Sequence, residues 1–535
     1  MRRGRYRDGV ITVNRIARHA CAVLAAASLC AAPALAVDRS LGADVPKPQP
    51  AGAPWTDAQV AALHTDVDAM LREAAFLRGA HVGIYAIDAR DGHVLYARNA
   101  DDAFQPASTF KTLVGSAALR KLGPQWRMHT ALTTTAPVEN GRLEGALVLR
   151  GGGDPLLRAS DLDAAAAAVA AAGIRSIDGP LLIDDSRFDQ QRYGDGWSVD
   201  DLPYYYAPVV SGMMLEDDVV HLHVAPGPAV GARAQLAWEP SAGADERPPA
   251  GCPAAANGAH LVDEVVTGAA DAKDTVDLRR APCGVIRLSG TIPLGAKPDA
   301  IDAAVPSPER YVEDVLGAAL GAHGVTLSAA AASAFPSLYG AATTTVPWPG
   351  ANERVLWSHD SEPLSDILAD MWFPSDNLIA ETLLKQIAAD DAGAPGTDAH
   401  GIAWELGWLG SLGIDTGAIS IDDGSGLSAY DRVTPRDLVT ILTADWNGPN
   451  RDVVLDDLPL AGVRGTLRRS FIGMPAEKHV FGKTGSISHV ATLVGYAATH
   501  THGTVIFAFQ VDDFVGSRTA LNDLRGRVIS RFVVQ

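Results

Sequence analysis

The chain is short of cysteine, with four in 535 residues. Two of these, Cys21 and Cys30, fall before Val37, which leaves Cys252 and Cys283 for the body. A scaffold built on disulfides is excluded, because such folds need far denser cysteine. Long apolar runs are also missing. Past the N-terminus no stretch approaches the ~20 residues of a bilayer span, so no transmembrane anchor is expected there. Positive charge is scarce, with 44 Lys and Arg against 63 Asp and Glu. Arg2, Arg3, Arg5, Arg7, Arg15 and Arg18 against Asp8 place +5 ahead of Val37, so the remainder carries −24. A body this acidic repels phosphate backbones, which excludes nucleic acid as a partner. There is no His-Glu-x-x-His. His221-Leu-His223 and His500-Thr-His502 set pairs of histidines on one strand face, but no carboxylate is placed as a third ligand. They read as residues of an exposed strand or turn, and no metal is expected. Gly151-Gly-Gly-Asp154 lacks the downstream Gly-Lys-Ser/Thr of a phosphate loop and reads as a turn. No cofactor is expected.

What is present begins with an export signal. Arginines precede the apolar run Ala20–Ala32, and Ala34-Leu35-Ala36 supplies an A-x-A cleavage pattern. Leu29 stands before Cys30 where lipoprotein processing needs a small residue. The mature protein is expected to be soluble outside the cytoplasm, in the periplasm or at the cell wall. In that oxidising compartment Cys252 and Cys283 can pair. They lie far from every motif below, so neither reads as a catalytic thiol.

The length is too great for one core and predicts two to four domains. Residues 37–55, with Pro46, Pro48, Pro50 and Pro54, read as a linker. Thr56 and Gln59 match a capping box, and Val60, Leu63, Val67, Met70 and Leu71 recur at helical spacing. His81–Ile87 and His93–Ala97 flank Asp91-Gly92 as a β-hairpin. A second helix opens at Ser108. The texture changes between about 150 and 345, where an alanine-rich helix (160–172) and strands at 181–183 and 219–224 suggest one or two inserted domains. After Trp357 come two helices, strands at 490–497 and 504–511, and an amphipathic C-terminal helix. The predicted class is α/β (α+β), an antiparallel sheet with helices on both faces. The expected division is a discontinuous catalytic domain (56–130 and 350–535) around an insert at 131–349.

Three short motifs carry the chemistry: Ser108-Thr-Phe-Lys111, Ser375-Asp-Asn377 and Lys483-Thr-Gly485. A serine is a weak nucleophile until a base takes its proton. Lys111 lies one helical turn from Ser108, on the same face. It can act as that base only with a lowered pKa, through desolvation or a neighbouring positive charge, for which Lys483 is the candidate. Ser375 can relay a proton, and Asn377 can bind a substrate amide. Lys483 and Thr484 suit a carboxylate. Gly485 would keep the strand edge open for an extended peptide. Asp422 and Asp423 read as turn-formers beside Gly424.

In these motifs, their order and the long interval from Ser108 to Ser375, the chain resembles the class C low-molecular-mass penicillin-binding proteins. These are D-alanyl-D-alanine carboxypeptidase/endopeptidases of the bacterial cell wall. The resemblance runs from about residue 55 to the C-terminus. It includes Gly151-Gly-Gly-Asp-Pro155, Asp423-Gly-Ser-Gly-Leu-Ser428 and Arg464-Gly-Thr-Leu-Arg468. It implies that Ser108 is acylated by peptidoglycan stem peptides and by β-lactams as covalent inhibitors. Lys111 would be the base, and Ser375 and Asn377 the relay and cradle. Lys483 and Thr484 would hold the terminal carboxylate, with the N–H groups of Ser108 and Ser486 as oxyanion hole. Phe110 stands where the family often has a polar residue, and Ser486 where it often has Thr. Two alternatives remain: a β-lactamase, for which Glu405 is the nearest glutamate but lacks the usual pattern, and a non-catalytic wall-binding or β-lactam-sensing protein.

Overall fold

The structure, a computed structural model, describes residues 45–50, 52–239, 261–280, 286–328 and 353–534. The expected signal segment, Cys252 and Cys283 lie outside the described residues. A five-stranded antiparallel sheet organises the molecule, in the order Val480–Ile487, Val490–Ala498, Thr504–Asp512, His81–Asp88, Val94–Arg98. The two ends of the chain meet in its middle, where His81 pairs with Asp512 and the register runs unbroken to Asp88 and Val505. The hairpin turn falls at Asp91-Gly92 as expected. Gly92 takes a φ of 75° there, and the Asp91 carboxylate accepts the His93 N–H.

Period-two alternation sends each strand into two cores. Val82, Ile84 and Ala86, with Val505, Phe507, Phe509 and Val511, face the helices Asp57–Glu73 and Arg518–Val534. The first of these helices starts at the expected Thr56/Gln59 capping box. Tyr85, Ile87, Val494, Tyr496, Ile506 and Ala508 face the other way, onto a helical layer. That layer comprises Lys111–Lys121, Leu364–Trp372, Asn377–Ala392, Asp398–Ser411 and Pro435–Trp446. The sheet is therefore covered on both faces.

Between the first helix of that layer and the rest, the described residues form four smaller sheets around a third core. Strands His129–Thr134 and Arg354–Asp360 pair antiparallel, so the chain leaves and returns side by side. The alanine-rich helix spans Ala159–Ala171. One expectation is corrected in the turn between the central-sheet strands Val490–Ala498 and Thr504–Asp512. His502 is not exposed; it stacks on Trp55 and its Nδ1 bonds the Ala53 carbonyl, which ties down the segment before the first helix. No helix among the described residues is long and apolar enough to cross a membrane.

The central strands should dominate stability. Phe507 is fully buried beside Phe532. Phe507→Ala is expected to cost about 3–5 kcal/mol, read as an earlier unfolding transition in urea; a loss below about 1 kcal/mol would contradict this packing.

Candidate active site

Ser108 sits in a tight turn, Ala107–Phe110, that runs directly into the helix Lys111–Lys121. The turn is strained, because Ala107 holds a φ of 45° in the left-handed region that disfavours side chains. Its surroundings over-determine it. The Pro106 carbonyl accepts from Thr109 Oγ1 at 2.6 Å and from Thr492 Oγ1 at 2.7 Å. Trp372 Nε1 donates to the Lys111 carbonyl. Two glycines allow close approach from either side. A Cβ on Gly426 would stand 2.0 Å from the Ala107 oxygen. A Cβ on Gly485 would stand 2.7 Å from the Pro106 oxygen and 2.9 Å from the Ser108 nitrogen. Gly485 thus lets the strand Val480–Ile487 press against the serine turn, a more specific reason than an open edge for peptide.

Lys111 is fully buried, and its Nζ lies 3.0 Å from Ser108 Oγ. It also donates to Asn377 Oδ1 at 2.5 Å and to the Ser425 carbonyl at 2.8 Å. Both carbonyls can only accept. A neutral Lys111 would give its two hydrogens to them and turn its lone pair toward Ser108. The Asn377 amide is fixed in orientation, because its Nδ2 donates to the Tyr206 carbonyl at 2.5 Å. Sequence reasoning assigned Asn377 to a substrate amide; here it is buried and grips Lys111 from behind. Asp376 caps the same helix by accepting the Ile379 N–H.

Ser375, at a φ of 72°, turns its Oγ to Lys483 Nζ, 2.8 Å away. Lys483 is also fully buried and bonds the Thr484 carbonyl. Thr484 Oγ1 donates to Thr466 Oγ1 at 2.7 Å. Ser486, next along the strand from Gly485, is exposed. All three motifs therefore converge. Ser108, Ser375 and Thr484 are half-buried, while Lys111 and Lys483 are fully buried.

Of the two causes expected for a lowered Lys111, burial is the one that acts. Burial pulls Lys111 down to about 8, while Asp423, Asp376, Glu381 and Asp431 act against it. Lys483 is lowered well below its ordinary value, first by burial and then by the charge of Lys111. Desolvation, rather than the neighbouring lysine, is thus the main reason Lys111 can lose its proton. Beneath lies an acidic shell. Asp423 accepts from the N–H groups of Gly426 and Ser428, from Ser425 Oγ and from Trp197 Nε1. It does form a turn, and that turn delivers the Ser425 carbonyl to Lys111. Burial and Asp423 push Glu405 up to about 8 and Asp431 well above its ordinary value.

Sequence reasoning missed the Ser425 and Tyr206 carbonyls, Thr466 and Glu381. The strings Asp423–Ser428 and Arg464–Arg468 marked two of these places, but backbone acceptors leave no letter of their own. Among the described residues no group of three or more His, Cys, Asp or Glu is arranged to hold a metal. His221 instead bonds Asp302 across neighbouring strands.

Residues 63–528 match the D-Ala-D-Ala carboxypeptidase 3 (S13) family. A D-alanyl-D-alanine carboxypeptidase of Actinomadura sp. (strain R39) is 34 % identical over 461 residues, which are 84 % of this chain and 80 % of that protein. The D-alanyl-D-alanine carboxypeptidase DacB of Haemophilus influenzae is 26 % identical over 422 residues, covering 78 % and 82 %. The crystal structure of penicillin binding protein 4 from Haemophilus influenzae superposes with a TM-score of 0.73 at 23 % identity, over 87 % of this chain and 97 % of the other. That likeness is one of fold, and it matches the sheet and helical layers described above. With the family matched across most of its length and a relative above 30 % identity, the chain belongs to the D-Ala-D-Ala carboxypeptidase 3 (S13) family.

Proposed function

We propose that the protein is a serine-type D-Ala-D-Ala carboxypeptidase, with DD-endopeptidase activity, that acts on peptidoglycan stem peptides outside the cytoplasm. One observation carries the reading: Ser108 Oγ lies 3.0 Å from a buried lysine whose other two partners are carbonyl oxygens. That arrangement suits a neutral amine that takes a proton from serine.

Ser108 Oγ attacks the carbonyl of the penultimate D-Ala as its proton passes to Lys111. The tetrahedral oxyanion is held by the N–H groups of Ser108 and Ser486. Ser375, bonded to Lys483, relays to the departing amine the proton that Lys111 took from Ser108, so its own hydroxyl is restored and Lys111 is neutral again as the C–N bond breaks. Water then hydrolyses the Ser108 ester. Lys483 and Thr484, the latter braced by Thr466, hold the terminal carboxylate. β-Lactams enter by the same attack and remain as an adduct on Ser108. The Haemophilus penicillin binding protein 4, whose fold this chain shares, is known in complex with a β-lactam. Rapid release of the adduct would need a base near the ester. Glu405 is a poor one, being fully buried with its Oε1 without a hydrogen-bond partner among the described residues. This weighs against a β-lactamase, and a complete Ser108–Lys111 pair weighs against a non-catalytic sensor.

The division proposed is a catalytic domain of residues 56–130 and 350–535 around an insert at 131–349. The side-by-side passage of His129–Thr134 and Arg354–Asp360 supports it. The insert still reaches the site, through Tyr206 and Trp197. Residues 1–36 act as the export signal in this reading.

Fluorescent penicillin should label the protein covalently, and Ser108→Ala should abolish the label. Folded wild type that takes no label sinks the proposal, while fast turnover of a chromogenic cephalosporin points to a β-lactamase. D-Ala release from a pentapeptide tests the carboxypeptidase step, and cleavage of a cross-linked dimer tests the endopeptidase step.

The acylation rate should rise with pH. The working form of Lys111 is neutral, and at pH 7 only about a tenth of it is neutral if it titrates near 8. The rate is expected to climb about tenfold per pH unit below that point and to level off above it. A limb still rising toward the ordinary lysine value of 10.5 would contradict the assignment.

Gly485→Ala should slow acylation at least ~tenfold, because the new methyl displaces the serine turn, with a stability loss of about 1–3 kcal/mol. Wild-type labelling kinetics in this variant would show that the close approach is dispensable.

A further inference from the structure

The site contains a buried carboxylate that the acylation scheme does not use. Glu381 stands one helical turn after Asn377, so both side chains leave the same face of the helix Asn377–Ala392. Asn377 reaches Lys111 directly. Glu381, only 1 % exposed, reaches the loop beyond. Its Oε2 accepts the Gly424 N–H at 3.0 Å and its Oε1 accepts the Ser425 N–H at 2.9 Å. Two successive backbone donors thus end on one carboxylate. The carbonyl of the second residue, Ser425, is the one that accepts from Lys111 at 2.8 Å. The loop has little room to move, since Gly424 packs against the Ala380 carbonyl and Gly426 against the Ala107 carbonyl.

We propose that Glu381 is a positioning residue of the acylation centre: it fixes the Ser425 carbonyl, which takes one hydrogen of Lys111 and so keeps the amine's lone pair on Ser108. This rests on the function proposed above. The chemistry needs such a device. A lysine amine rotates freely about its last bond, and either a hydrogen or the lone pair can face the serine. With Asn377 Oδ1 alone as acceptor, one hydrogen is placed and the lone pair is not. With Ser425 added, both hydrogens are placed and one direction remains. Charge accompanies geometry here. Lys111 is faced by Lys483, Asp376, Asp423, Asp431 and Glu381. Glu381 is faced in turn by Asp423 and Asp398, and is pushed up by burial and by both.

The test follows acylation by fluorescent penicillin across pH, with end-point labelling as the count of folded sites. Glu381→Gln keeps the shape but has one acceptor for two N–H groups. Glu381→Asp keeps the charge but is a methylene too short. Both are expected to slow acylation about ten- to a hundredfold at near-normal end-point labelling. Both should also move the ascending limb to lower pH, because the protonated amine loses a placed acceptor. A lower end point with unchanged rate and limb means a structural role only and overturns the inference. A shifted limb in the Gln variant with a wild-type Asp variant means charge alone and also overturns it. Wild type that takes no label overturns the proposed function, and this inference with it. Wild type that labels while all three proteins share one rate and limb overturns the inference by itself.

Discussion

Everything in the site turns on the removal of two lysine amines from water. Lys111 and Lys483 are both fully buried, in a protein whose body is strongly acidic. A buried ammonium is costly, and a lysine can avoid the cost by giving up its proton. For Lys111 the fall from 10.5 to about 8 corresponds to about 3 kcal/mol taken from the charged form. Four nearby carboxylates limit that fall. The balance leaves a base that is neutral often enough to work yet still basic enough to accept a proton. Lys483 has no such set of carboxylates among the causes of its shift and is lowered well below its ordinary value. The acidic shell under the site is therefore part of its tuning, not a solvated surface.

The fold supplies the burial. The strand Val480–Ile487 ends the central sheet, and the sheet face at Gly485 and its cross-strand partner Thr492 meets the serine turn. The helical layer closes from below and brings Asn377 and Glu381 from a single helix face. The insert closes from the side, with the Tyr206 carbonyl on Asn377 and the Trp197 indole on Asp423. Three segments far apart in sequence thus share the exclusion of solvent. Ser108 and Ser375 themselves stay half-buried.

How much of this was legible in the sequence follows from how local each device is. Ser108 and Lys111 are three residues apart, in a tight turn and at the start of the helix it runs into, so their meeting is local. The Thr56/Gln59 box and the Asp91-Gly92 turn are local in the same sense, and both are found. The sheet with helices on both faces follows from alternation and helical stripes, and it too is found. What escaped was long-range or backbone-borne. The acceptors on Lys111 and Asn377 include the carbonyls of Ser425 and Tyr206, and any residue type carries a carbonyl. Gly485 was noticed as a glycine, but its neighbours at Pro106 and Ser108 lie more than 370 residues away in sequence. The burial of His502 depends on Trp55 in the same way. Of the two causes open for the Lys111 shift, a neighbour in Lys483 can be read from the motifs, whereas the loss of water around the amine depends on long-range packing.

The strain in the site has a consistent logic. Ala107 and Ser375 both hold positive φ without being glycine, and each precedes or is a hydroxyl-bearing residue that faces a lysine. A relaxed backbone at either place would turn the serine away from its amine. The cost of such conformations is of order 1–3 kcal/mol each, which persists only where the surroundings leave no alternative. At Ala107 those surroundings are the hydrogen bonds on Pro106 and the two glycines that admit close backbone. At Ser375 they are the Asp376 cap and the start of a helix buried along nearly its whole length. The rigid, water-free layer that shifts the lysines is thus the same layer that holds the serines in place. Loosening it would lose both effects together, since water reaching Lys111 would restore its proton as the serine turn relaxed.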